Sequence, residues 1–99
     1  MRLDLEQFGF RKGFSWENRM VLHSKVGKYI VSTVDLGLDH SFGIGEPLYY
    51  ETMIFNWEDE TENPFSDYQE RYSTEEEAKK GHEEAIEYVK NKLEREEEK

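Results

Sequence analysis

The chain has 99 residues, 35% hydrophobic and 14% aromatic, with 23 acidic against 13 basic side chains and a formal net charge of -10. That length supports one domain with one modest core, in which large rings supply the buried area that a low aliphatic content does not. The acidity opposes direct binding to nucleic acid phosphates or anionic lipid, and the absence of cysteine excludes disulfides, zinc–thiolate sites and cysteine nucleophiles.

No apolar run reaches membrane-spanning length and Met1 to Glu6 contains no signal core, so a cytosolic setting is expected. Residues 1–16 carry Leu3, Leu5, Phe8, Phe10, Phe14 and Trp16, too apolar for a loose tail, while Gly9 and Gly13 break any long helix. They predict an irregular aromatic arm docked on the core, or an exposed contact for a partner or second copy. A sheet is expected over 19–72. Arg19 to His23 reads as a first strand, Ser24 to Lys28 as a tight turn on Gly27, and Tyr29 to Leu36 as the strongest strand. The even positions Ile30, Val34 and Leu36 form its more apolar face, and the odd positions Tyr29, Val31, Thr33 and Asp35 a mixed one.

A long connection, 37–47, holds Asp39, His40, Phe42, Gly43, Gly45 and Pro47. Long loops in small domains often carry function. Leu48 to Trp57 reads as a central strand, Glu58 to Pro64 as an acidic loop, and Phe65 to Tyr72 as an edge strand. Thr74 with Glu77 has capping-box spacing, and a helix is expected over 74–95. Its apolar stripe is Ala78, His82, Ala85, Ile86, Val89 and Leu93, with residues 96–99 fraying as an acidic tail. The expected fold is α+β: an antiparallel meander of about four strands with one C-terminal helix on one face, in a single domain.

His82 stands where an aliphatic residue belongs, after a mid-helix glycine that costs about 1 kcal/mol relative to alanine. It reads either as a core histidine satisfied by strand side chains or loop carbonyls, or as part of a site shared with the 37–47 loop. That site would be Asp39, His40, Phe42, Gly43, Gly45, Gly81 and His82, with the loop glycines wrapping an anion or planar group. The loop lacks a nucleotide fingerprint, and its plainer reading is a wide connection with Asp39 bonding its own backbone. Asp35, Asp39, His40 and His82 are acceptable metal-ligand types at undiagnostic spacing, and no cofactor is specified. Ser41 beside His40 has no visible base or strained turn. The glutamate-rich helix reads as a solvated face or as an imitation of a phosphate ladder.

The ordered blocks Ile30 to Val34, Leu36 to His40 with Phe42-Gly43, Pro47 with Tyr50 to Phe55, and Glu70 to Ala78 with Gly81-His82 resemble a family of small uncharacterised tailed-phage and prophage proteins. The resemblance covers roughly 30–90 and implies a phage setting in a bacterial host cytoplasm. It brings no fold or activity. Small accessory proteins in that setting often bind a host component. Together with the small size, the aromatic arm, the acidic surface and the lack of a catalytic constellation, this makes the expected role a non-catalytic one, binding either a defence protein or a small nucleotide-like ligand. The alternatives are a small metal-dependent hydrolase using Asp39, His40 and His82, and an acidic nucleic-acid mimic. A homodimer is compatible with each.

Overall fold

The computed structural model describes residues 5–56 and 65–97. Four strands, β1 (Val21–Val26), β2 (Tyr29–Asp35), β3 (Tyr50–Asn56) and β4 (Phe65–Tyr72), form one antiparallel sheet in the order β1-β2-β3-β4. A single α-helix, α1 (Glu75–Glu97), covers one face of the sheet. The expected α+β meander with a C-terminal helix is thus the observed fold.

The helix begins as its sequence dictates. Thr74 Oγ1 accepts a hydrogen bond from the Glu77 amide at 3.1 Å and donates to Glu77 Oε1 at 3.0 Å. The cap satisfies an otherwise orphaned first-turn N–H, and Glu75, Glu76 and Glu77 meet the positive end of the helix. At the other end helical structure continues through Glu97, beyond the expected limit of 95. Glu96 accounts for the extension, because it accepts the Tyr29 hydroxyl at 3.1 Å and pairs with Lys28 at 3.4 Å. Of the expected frayed tail, Glu98 and Lys99 lie outside the described residues.

Helix α1 rests on the odd face of β2. Tyr29, Val31, Thr33 and Asp35 are buried, while Ile30, Ser32 and Val34 are half-buried on the open side. The face with more apolar residues is therefore not the one the helix covers. The reversal holds because each polar odd-face group has a partner. Thr33 bonds Thr52 and His82, and Asp35 bonds Arg11 and the Gly37 amide, so burial leaves none of them unsatisfied. Val31, Ile54, Ala85 and Val89 fill the space between helix and sheet, and the two alanines Ala78 and Ala85 let the layers approach closely. Each large side chain so buried contributes about 1.5–3 kcal/mol.

Strand β1 runs to Val26, not to His23, and its turn shrinks to Gly27-Lys28. Leu22, Ser24 and Val26 sit opposite Thr33, Val31 and Tyr29 and alternate in burial with Val21, His23 and Lys25, so the strand keeps pairing wherever the helix side needs cover. Gly27 is left-handed, and a Cβ there would press on Leu93 of the helix. Strand β3 starts at Tyr50, since Leu48 and Tyr49 close the preceding loop. Trp57 and the acidic loop 58–64 lie outside the described residues.

The N-terminal arm is anchored by one charge pair. Arg11 donates to both Asp35 carboxylate oxygens, at 3.1 and 2.5 Å, and its guanidinium lies over the rings of Tyr49 and Tyr50. The Arg11 amide donates to Gly37 O at 2.6 Å, and Phe10 bridges Leu38. Phe14 is buried, stacks on Phe10 at 5.1 Å and leaves no room for a side chain at Gly37. Phe10 and Phe14 dock on the core side of the arm, whereas Phe8 and Trp16 are exposed.

Candidate functional site

Two features carry residues that the sequence singles out: a polar chain under the helix, and the loop 37–47. The chain is centred on His82. Its Nε2 lies 2.8 Å from Ser24 Oγ, and its Nδ1 lies 2.7 Å from Thr33 Oγ1. Thr33 Oγ1 is 2.5 Å from Thr52 Oγ1, and the Thr52 side chain bonds Tyr72. The elements β1, β2, β3, β4 and α1 are thus joined through five side chains. Among the described residues no buried side-chain polar atom lacks a partner. Gly81 is explained by the same chain, since a Cβ there would overlap the Tyr72 hydroxyl and ring.

Ser24–His82–Thr33 has the connectivity of a nucleophile, base and orienter, but the wrong electrostatics for that role. The orienting group is an uncharged hydroxyl, where a carboxylate would stabilise the imidazolium formed in catalysis. Burial lowers the His82 pKa, further disfavouring the charged ring, and nearby His23 pushes in the same direction against Glu83. The chain ties the helix to the sheet through side chains that satisfy one another.

The loop is built differently. Asp39 accepts the Ser41 amide at 2.8 Å, the Ser41 hydroxyl at 3.0 Å and the Leu48 amide at 2.9 Å, spanning the loop's base. These bonds stabilise the ionised form and hold the Asp39 pKa below the ordinary carboxylate range. The His40 amide donates to Leu48 O, and its Nδ1 lies 2.8 Å from Leu38 O. Above this clamp Ile44 N donates to Ser41 O in a tight turn. Phe42 there has φ of 56°, the one non-glycine in the left-handed region among the described residues. For a residue with Cβ that conformation costs on the order of 1–2 kcal/mol. Phe42 is 85% exposed and Ile44 82%, the most exposed large hydrophobic residues described.

The structure gives the two halves of the site that the sequence suggests different surroundings. Gly81 and His82 are buried against the sheet, with Tyr72 filling the space over Gly81, while Asp39 and His40 bond within the loop. Gly43 and Gly45 face open space. Among the described residues no three His, Asp or Glu side chains gather where they could hold a metal, so Asp35, Asp39, His40 and His82 do not converge. Asp35 is instead neutralised by Arg11. An open depression of about 330 Å³ is lined by Tyr88, Lys92, Arg95 and Glu96, at the Tyr29 end of the sheet and away from the loop. Ile44 is absent from the residues singled out by sequence. Its position between Gly43 and Gly45 is the signal that could have found it, because an apolar residue flanked by glycines sits on a turn.

Replacing Asp39 with alanine is expected to release the loop while sparing the sheet. Hydrogen exchange checks this: the Ser41 and Leu48 amides lose protection, and those of β2 and β3 keep theirs.

Among the described residues no helix is long and apolar enough to cross a membrane. The class defined is a four-stranded antiparallel sheet with one covering helix and a clamped apolar loop tip. No family model, curated protein or solved structure matches the chain.

Proposed function

We propose that the chain is a small non-catalytic binding protein that engages a protein of a bacterial host, in the phage or prophage cytoplasmic setting its sequence pattern resembles. One observation carries this reading. Phe42 and Ile44 are held out in solvent by a loop whose base is clamped, at a conformational cost that packing within the chain does not recover. Rigidly presented rings and aliphatic groups are what protein interfaces use as anchors, because little entropy is lost when they dock. A host protein is favoured over a small nucleotide-like ligand, since Gly81 and His82 are buried against the sheet while Phe42 and Ile44 stand exposed on the loop. The helix acids are spread over a capped, solvated element and need no role as a phosphate mimic.

The test is site-directed photocrosslinking in bacterial cells. A photoreactive phenylalanine analogue at Phe42 is expected to give a discrete protein adduct that is absent with the analogue at Lys79 on the outer helix. Ile44→Asp should reduce the adduct severalfold. Equal labelling from both positions, or none from Phe42, overturns the reading.

A further inference from the structure

The charge around the loop tip says what kind of surface it fits. No Lys or Arg occurs between Lys28 and Arg71, a stretch that contains all of β2, the loop and β3. The acids along it differ in how they are compensated. Asp35 is paired with Arg11, and Glu51 with Arg71 at 2.9 Å. The two carboxylates of the loop itself, Asp39 and Glu46, make no ion pair among the described residues. Asp39 is kept ionised by the amides it accepts, so its charge persists at any physiological pH. Glu46 is exposed at the far side of the turn. The tip is therefore an apolar knob, Phe42 and Ile44, flanked by two fixed anions on a chain of net charge -10.

We infer that this surface docks into an apolar socket rimmed by lysine or arginine on a partner protein. The inference rests on the binding role proposed above and names the partner's chemistry. Each part of the knob selects a feature of the socket. Phe42 and Ile44 are stabilised only where water is excluded, which requires an apolar floor. Asp39 and Glu46 then come close to the partner's rim, where an acidic or neutral wall would leave them repelled or desolvated without compensation. A cationic rim converts the same charges into steering, so association is fast at low ionic strength and slows as salt screens it. An anionic bilayer offers the floor but the wrong rim.

Glu46 is the residue to change, because it is exposed and supports no described contact, whereas Asp39 holds the loop together. With the photoreactive residue at Phe42, the adduct site on the captured protein is mapped by mass spectrometry. The expected result is an apolar segment with Lys or Arg beside it. Glu46→Lys should lower adduct yield by about threefold to tenfold at low salt, Glu46→Gln by less, and the three yields should converge as salt is raised. Reversing the mapped partner cation to glutamate should restore crosslinking to Glu46→Lys. Adduct formation that is indifferent to residue 46 and to salt, or that maps to an acidic or uncharged wall, overturns the inference and leaves the binding role standing. Labelling of lipid alone, or no specific adduct, overturns both.

Discussion

Gly81→Ala is expected to destabilise the protein by about 2–4 kcal/mol, although alanine is the better helix former by about 1 kcal/mol. The sign reverses because of one contact. A Cβ at 81 overlaps the hydroxyl and ring of Tyr72, which packs against the helix backbone from the last strand. The ring is not a flexible end that can swing away at little cost. Tyr72 stands opposite Tyr50 in the sheet register, and its hydroxyl bonds the buried Thr52. Displacing it lifts the helix from the sheet or breaks the polar chain at its β4 end, each a loss of a kcal/mol or more. Urea unfolding gives the magnitude, and a double mutant gives the cause. Tyr72→Ala costs stability alone, but in its presence the alanine at 81 should become neutral or favourable. A stabilising Gly81→Ala in the wild-type background would mean that the ring does not occupy that space.

The same pair illustrates what a sequence can and cannot disclose. Elements with local causes were legible: the Thr74–Glu77 cap, the β-branched run 29–36, and the α+β meander they imply. The mid-helix Gly81 stood out by its cost to the helix, but the group that explains it, Tyr72, belongs to another element nine residues earlier and carried no mark of its role. The covered face of β2 was illegible for a related reason. Counting apolar side chains points to Ile30 and Val34, whereas burial went to Thr33 and Asp35, whose partners Thr52, His82 and Arg11 lie 19 or more residues away. Arg11 in particular read as part of an aromatic arm, yet it is the charge that makes a buried Asp35 tolerable. Of the candidate site, the loop was legible from its glycines and Asp39. That Phe42 faces solvent was not, because a phenylalanine in a small aromatic-rich chain ordinarily belongs to the core.

His82 gives the protein a pH dependence of stability with a defined sign. Desolvation lowers the imidazole's pKa in the folded chain, whereas in the unfolded chain it titrates near its ordinary value of about 6.5. Above that pH both states carry a neutral ring and its contribution to folding is complete. As pH falls below about 6.5 the unfolded chain binds the proton first, so stability declines until the folded pKa is reached. The slope in that window is at most about 1.4 kcal/mol per pH unit for one proton. Asp39 and Glu96 have pKa values held low by their hydrogen bonds, and their contributions are lost only at more acidic pH, so the windows separate. His82→Leu isolates the effect. Near pH 8 it should cost about 1–3 kcal/mol, because Ser24 and Thr33 each lose a partner, although Thr33 keeps Thr52 and Ser24 can turn to water. Between pH 6.5 and 5 the variant's stability should change less than the wild type's, so the gap between them narrows as the solution is acidified. Urea titrations at half-unit intervals of pH check both parts. A variant whose stability runs parallel to the wild type throughout would show that the ring has the same pKa in the folded and unfolded chains, and a gap that widens on acidification would show that the ring is protonated in the folded chain.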